Sequence, residues 1–414
     1  AEQALTLGDA AALGELMTEA QALFDQHLMP ACPAELTAPK LHQVLADPTV
    51  KKLIHGGKGV GSQGDGCVQF VTRSEGAREE LAIYLQTTYG MDCFDLDLRQ
   101  PQSVRKALIP AAGFGTRMFP ASKAIKKELF PVVTPDGNAK PVILAIVEEA
   151  LEAGIEEIGI IVKPGDDVFF DDFFTAPLAP EHYNNLSDKH REYFHRLQML
   201  GERITYVIQA EQAGFGHAVG CAREWVGEEP FLLMLGDHLY LSDNGVPCAR
   251  QLIDVFEANN RKSVIGVYEA TIDEVPFYGT VAGTWTSEDH RALEIRELAE
   301  KPSKEYARSN LTTRGLPTDR FLCIYGQYVL APTVFDCLQQ EMEANMREGG
   351  EIQLTTALEL LRQQDGLLGY RVAGQHYDTG LPKPYVRTLQ AILDRAESAA
   401  ADGADAEPRT TETA

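Results

Sequence analysis

One stretch constrains the fold more than any other: KALIPA at 106–111, a glycine-containing loop, PVILAIVEEALEAG at 141–154, and IEEIGIIVKPG at 155–165. After its opening lysine, KALIPA is a short apolar run, as a strand buried on both faces requires. PVILAIVEEALEAG has proline at its start, apolar residues on one face and a terminal glycine, which together predict a helix. IEEIGIIVKPG then reads as a strand again. Strand, loop, helix, strand is a βαβ unit, so the spacing predicts an α/β domain with a Rossmann-like, mixed but mainly parallel sheet. RITYVIQ (203–209), PFLLMLGD (230–237), SVIGVYEA (263–270) and CIYGQYVL (323–330) read as further strands, with helices at CARQLIDVFEANN (248–260) and QLTTALELLRQQ (353–364).

This domain is expected over 101–395. Residues 1–100 read as a separate, small α+β domain. There, ALGELMTEAQALFDQHLM (12–29) has helical spacing, and APKLHQVLADPTVKKLI (38–54) is helical with an interruption near Pro48. GGKGVGSQGDGCVQFVT (56–72) reads as a glycine-rich turn entering an alternating strand, and EGAREELAIYLQTTYG (75–90) as a helix. Residues 396–414 are small, polar and mostly acidic without apolar periodicity, and a disordered tail is expected.

With 37 basic and 61 acidic side chains the net charge is −24. Such a surface repels nucleic acid, whose binding relies on lysine and arginine. A small anion remains admissible where a pocket gathers positive charge or brings a divalent cation. No apolar run reaches about 18 residues, so no membrane span is expected. The start of the chain lacks a secretory pattern, and it opens on Ala1 rather than Met, as a processed or truncated chain does. Seven cysteines stand singly, without CxxC or zinc spacing, which predicts reduced thiols in a cytoplasm.

The loop after KALIPA reads PAAGFGTRMFPASKAIKKELFP at 110–131. It lacks the third glycine of G-x-G-x-x-G, and no G-x-x-x-x-G-K-[ST] occurs in the chain, so neither a dinucleotide fingerprint nor a P-loop is present. Arg117, Lys123, Lys126 and Lys127 nevertheless crowd into a few residues of an acidic protein. Backbone N–H groups freed by glycine, with these cations, predict a phosphate-binding loop. Pro120 and Pro131 argue against the bland alternative of a solvated basic helix face.

GFGTRMFPASKAIKKELFP resembles the signature loop of the sugar-nucleotide pyrophosphorylases, G-x-G-T-R-x-x-P-x-[ST] followed by a lysine. Within that family it is similar to the bacterial UTP–glucose-1-phosphate uridylyltransferases. Further stretches match in order over roughly 105–395: QAEQAGFGHAVGCA (209–222), LGDHLY (235–240), YGTV (278–281) with ELAEKPS (297–303), GEIQLTTAL (350–358) and YDTG (377–380). The resemblance implies a GT-A-like nucleotidyltransferase domain that joins UTP and a sugar 1-phosphate, with Mg2+ as cofactor, giving a UDP-sugar and pyrophosphate.

The resemblance also implies roles for single residues. Arg117 would hold the departing pyrophosphate, and Lys127 would stabilise charge near the α-phosphate. Ala112, Gly113, Gly115 and Thr116 would contact the nucleotide, Gln209 would read uracil, and Gly214 would let the backbone approach it. Asp237 and Asp378 would bind the metal, with Asp237 also counted as catalytic. Gly279, Glu300 and Lys301 would hold the sugar and its phosphate. His217 is assigned no catalytic role, and Lys163 and Lys383 are phosphate neighbours only. Lys126 stands where the family usually has proline.

GGKGVGSQGDGCVQF resembles the late glycine motif of the GHMP small-molecule kinases, so residues 1–100 correspond to the C-terminal part of such a kinase. The kinase's ATP loop and catalytic residues have no counterpart, and no kinase activity is expected of this chain alone. A missing N-terminal kinase portion of the same polypeptide, and a homo-oligomer, are open partner alternatives. Glucose is the leading sugar on this resemblance, with galactose, a uronic acid or a pentose as the alternative. A thymidylyl transferase, and a non-catalytic nucleotide-sugar-binding regulator, are the rival functions.

Overall fold

The computed structural model describes residues 4, 9–60, 66–94, 104–134, 137–347 and 350–404. The chain divides into two compact units, Ala1–Pro101 and Gln102–Ala414.

In the first unit a helix, Ala10–His27, starts where the Asp9 side chain accepts the Ala12 N–H at 2.9 Å. It packs on an antiparallel hairpin of β1 (Ile54–Gly59) and β2 (Val68–Thr72). GGKG is therefore strand, not the turn expected from its glycines. The reason is close approach: a Cβ on Gly14 would lie 2.6 Å from the His55 carbonyl carbon, and one on Gly56 would collide with the Gly14 oxygen. Residues 61–65 of that motif lie outside the described residues. Asp47 separates helices Pro39–Ala46 and Pro48–Leu53. It accepts hydrogen bonds from Tyr89 Oη at 2.7 Å and Tyr84 Oη at 3.0 Å, and caps Thr49 N at 2.7 Å. The Tyr89 bond, foremost, holds its carboxyl down to about 2.

The second unit contains β3 (Lys106–Pro110), β4 (Pro131–Val133), β5 (Ala139–Pro141), β6 (Glu157–Val162), β7 (Ile204–Ile208), β8 (Phe231–Met234), β9 (His238–Ser242), β10 (Val264–Thr271), β11 (Thr280–Trp285), β12 (Ala292–Ala299), β13 (Arg320–Leu330), β14 (Leu368–Arg371) and β15 (Gly374–Asp378). Nine of these form one sheet in the order β10-β14-β12-β11-β13-β8-β3-β6-β7, with β10 also paired to β13. β8, β3, β6 and β7 run parallel, as does the β10–β14 pair. β13 joins β8 antiparallel, and β11 and β12 continue antiparallel. The sheet is thus mixed, with less parallel pairing than the sequence reading expected. The βαβ signal lies only in the segment from β3 to β8; later strands such as β11 and β12 are joined by a hairpin.

β3 is buried on both faces, as KALIPA implied. Ala107 and Ile109 pack in a core with residues of helices Val142–Glu152 and Cys248–Ala258. Leu108 enters the opposite core with residues of helices Val334–Glu343 and Leu354–Asp365. Burying the larger of these side chains, Leu108 and Ile109, contributes roughly 1.5–3 kcal/mol each. Because β3, β6, β7 and β8 are parallel, the loops after their carboxyl ends gather along one edge, where open α/β sheets bind ligands.

The final helix, Pro382–Ala404, corrects one expectation: it continues past residue 396, where a disordered tail was expected to begin. The stretch is polar but rich in alanine, the residue that favours helix most. Residues 405–414 of that tail lie outside the described residues.

Candidate active site

The loop after β3 is anchored before it turns outward. Ala111 N–H donates to the Ile161 carbonyl at 2.7 Å, and Ala111 and Ala112 are buried. Gly115 sits at φ +66°, a left-handed conformation that favours glycine. A Cβ there would come 3.1 Å from that of Ser122, whose hydroxyl donates to the Gly115 carbonyl at 2.7 Å. The prolines restrict the rest of the loop to short pieces, a 3-10 turn Thr116–Met118, a helix Ala121–Ala124 and a 3-10 turn Lys127–Leu129. Met118 is buried, while Gly113, Thr116 and Arg117 are exposed.

The cations of this loop do not converge as the sequence reading expected. Lys126 turns to an ion pair with Asp166, a carboxylate that also lies 3.5 Å from Lys163 Nζ. Lys163 in turn sits 4.4 Å over the Phe114 ring. Lys123 stays exposed. Of the loop's three lysines, Lys127 turns into the site, its Nζ donating to Asp237 Oδ2 at 2.5 Å and lying 3.6 Å from Glu128 Oε1. Burial works to lower the Lys127 ammonium, but Asp237 and Glu128 outweigh it and the group is raised. Glu128 is 1% exposed, and burial pushes its carboxyl up to about 7 despite Lys127.

Asp237 follows β8 through a turn at Gly236, where a Cβ would strike the Pro110 carbonyl. The strand after the turn, β9, pairs antiparallel with β15, which sets Asp378 opposite His238. Thr379 locks the junction: its N–H and its hydroxyl each donate to the Asp237 carbonyl at 2.8 Å. Gly380 N–H donates to Asp378 Oδ1 at 2.6 Å, and a Cβ on Gly380 would collide with Asp237 Oδ2. Glycine is needed there to give the carboxylate room.

The donor atoms of Asp237, His238 and Asp378 lie within 4.8 Å of one another. Burial alone would raise the Asp237 carboxyl, but His238 and Lys127 hold it far below the usual carboxylate range. His238 Nδ1 is 3.1 Å from Asp237 Oδ1, and its ring stacks on His376 at 5.6 Å. Tyr268 and Tyr325 close over His376 at 4.5 and 5.1 Å between ring centres, and burial pushes that imidazole down to about 3. Two carboxylates this close are a donor set that fits a divalent cation.

Gln209 follows β7 directly. Its N–H donates to the Val162 carbonyl at 2.8 Å and its side chain is buried. The amide Nε2 lies 3.3 Å from the Gly214 carbonyl and 3.1 Å from His217 Nδ1. Gly214 has φ +120°, and a Cβ on it would sit 2.7 Å from Ile352 N. Ile352 N–H donates to the Ala213 carbonyl at 2.8 Å, and Gly216 N–H to the Ile352 carbonyl at 2.9 Å. The GEIQLTTAL stretch therefore underpins the Gln209 loop.

The same stretch reaches the remaining residues. Thr355 Oγ1 donates to Glu300 Oε2 at 2.6 Å, and Glu300 Oε1 is 3.1 Å from Lys301 Nζ. Gly279 accepts the Ile324 N–H at 2.8 Å, and a Cβ on it would lie 2.6 Å from Ile324 Cδ1 and 3.4 Å from Glu300 Oε2. Lys301 takes a positive φ of 41° and keeps its side chain 56% exposed. Sequence reasoning missed His217 against Gln209, Glu128 beside Lys127, His238 between the aspartates, and Thr355 on Glu300. Each stands inside a stretch already singled out, but which neighbour it meets is set by the fold.

A mixed sheet with paired aspartates at one strand edge and a basic glycine loop at the next describes a nucleotidyl-transferring enzyme. The Nucleotidyl transferase family matches residues 106–395, and the chain belongs to it. It is 38% identical over 291 residues to UTP–glucose-1-phosphate uridylyltransferase of Bacillus subtilis (strain 168), covering 69% of this chain and 90% of that protein. To the Pseudomonas aeruginosa protein of the same name it is 36% identical over 286 residues, covering 68% and 94%. Among solved structures, an apo UDP-glucose pyrophosphorylase matches with a TM-score of 0.60 at 30% identity, over 70% of this chain and 99% of that one. The UTP-bound UGPase from Acinetobacter baumannii matches with a TM-score of 0.56 at 28% identity, over 70% and 93%. Among the described residues no helix is long and apolar enough to cross a membrane.

Proposed function

We propose that this chain transfers the uridylyl group of UTP to glucose 1-phosphate, giving UDP-glucose and pyrophosphate. The observation that carries the reading is the meeting of Lys127, Asp237 and Asp378 at the carboxyl edge of β3 and β8. Relatives at 36–39% identity bear the name of this reaction.

An oxygen of the sugar phosphate attacks the α-phosphorus, a new P–O bond forms, and the bond to the β-phosphoryl oxygen breaks with that oxygen keeping the electron pair. No protein nucleophile is involved, so the chain contributes position and charge. A divalent cation, Mg2+ in the simplest case, would be held by Asp237 and Asp378 and would offset phosphate charge. Lys127 supplies fixed positive charge near the α-phosphate. Arg117 and the backbone of Gly113, Gly115 and Thr116 take the departing pyrophosphate, beside the buried turn at Ala112. Gln209, its Nε2 held by the Gly214 carbonyl and His217 Nδ1, presents its amide oxygen as an acceptor to the uracil N–H. Glu300 and the Gly279 backbone hold sugar hydroxyls, and Lys301 the sugar phosphate.

Pyrophosphate release with Mg2+, testing UTP, dTTP, CTP, ATP and GTP against a panel of sugar 1-phosphates, tests this. Release with UTP and glucose 1-phosphate above all other pairs is expected. Preference for a galactose, uronic acid or pentose 1-phosphate would reassign the sugar, and no release with any pair would return the chain to a binding role.

The first unit is read as the end piece of a GHMP-type sugar kinase. The packing of helix Ala10–His27 against the glycines of β1 supports this. Incubation with ATP and free sugars is expected to yield no sugar 1-phosphate, and robust formation would overturn the reading.

A further inference from the structure

Consecutive residues of a strand project to opposite faces, yet Asp237 and His238 turn their side chains to one point. The turn at Gly236 and Asp237 precedes β9, so Asp237 is not bound by the strand's alternation. His238 is the first residue of β9 and sits directly opposite Asp378 of β15. Opposed residues of an antiparallel pair share a face, which brings the imidazole to the same place as both carboxylates.

The ring is held there. Its Nδ1 lies 3.1 Å from Asp237 Oδ1, its side chain is 11% exposed, and His376 stacks on it. His376 is itself enclosed by Tyr268 and Tyr325. One donor atom from each of Asp237, His238 and Asp378 falls within 4.8 Å of the others, a span that a small contraction around one ion would close. A site of two carboxylates alone suits a hard, oxygen-seeking ion. Adding an imidazole nitrogen shifts preference toward first-row transition ions, which bind nitrogen better than Mg2+ does.

We propose that His238 is a third protein ligand of the cation held by Asp237 and Asp378, and that it makes the site prefer Mn2+ and its first-row neighbours to Mg2+. This rests on the metal role given to the two aspartates under the proposed function.

The test is Mn2+ binding to the full chain by electron paramagnetic resonance, with pulsed measurement of nitrogen modulation on the bound ion. The unaltered protein is expected to show modulation from a directly bound imidazole nitrogen and to bind Mn2+ more tightly than Mg2+ in competition. His238→Ala and His238→Gln should both lose the modulation. Their Mn2+ affinity should fall by at least about tenfold, a loss already typical of groups one shell further out, with Mg2+ affinity changed far less. His376→Phe should keep the modulation, which excludes the neighbouring ring as its source. The glutamine variant guards against loss of fold, checked by circular dichroism. Mn2+ bound to the unaltered protein without nitrogen modulation would overturn the role of His238 and leave the aspartate pair standing. Absence of Mn2+ binding altogether, with or without UTP, would overturn the pair and this proposal with it.

Discussion

Lys127 and Asp237 depend on each other: the ammonium and the carboxylate are 2.5 Å apart, with side chains only 17% and 25% exposed. Removing one partner leaves the other charge poorly compensated in a partly dry site. Asp237→Asn is therefore expected to cut kcat by about a hundredfold or more while the protein stays folded, as pyrophosphate release and circular dichroism would report. A mere binding protein would show only weaker nucleotide affinity. Glu128 sets a pH dependence instead. Its carboxyl is raised from 4.5 to about 7 by burial, so the fold favours the protonated form. That contribution is complete below the unfolded value and is lost as pH rises through the folded one. Glu128→Gln should flatten the fall in stability between about pH 4.5 and about pH 7, read as denaturant midpoints across that range. An unchanged slope would assign the dependence to other groups.

The loop after β7 and the segment Glu351–Gln353 act as one element, tied by two backbone hydrogen bonds through Ile352. Gly214→Ala would force a Cβ to 2.7 Å from Ile352 N at a φ of +120°. We expect a stability loss of about 1–3 kcal/mol and a rise in KM for UTP larger than any change in kcat. Steady-state kinetics would check it, and an unmoved KM would detach this loop from the nucleotide. At this scale the sequence was legible where the signal is local. β3, the helix after it and β6 follow from apolar runs and from proline and glycine at their ends. The lysines were not, because the carboxylates that claim Lys126 and Lys127, Asp166 and Asp237, come from other loops. The glycines of β1 misled for a related reason: they serve contact with a helix, which only the packed structure reveals. The antiparallel half of the sheet carried no marker as clear as a βαβ unit.

On the scale of the molecule, the transferase chemistry belongs to one unit. The family match spans 106–395 and the compact unit begins at Gln102. A protein of residues 102–414 is expected to keep uridylyl transfer, since a compact unit with its own core can fold alone. Loss of turnover in a folded 102–414 protein would give the first unit a part in the reaction. The Asp237 half-site also stands far in sequence from its completion. β9 finds its partner only in β15, which carries Asp378. On the ribosome, everything from the nucleotide loop to β13 emerges while β9 still has an open edge and the aspartate pair is half made. A message cut short before β15 would thus leave a polypeptide with most of its sheet assembled, an unpaired strand edge prone to association, and no site for the cation: a product to be cleared, with no partial activity.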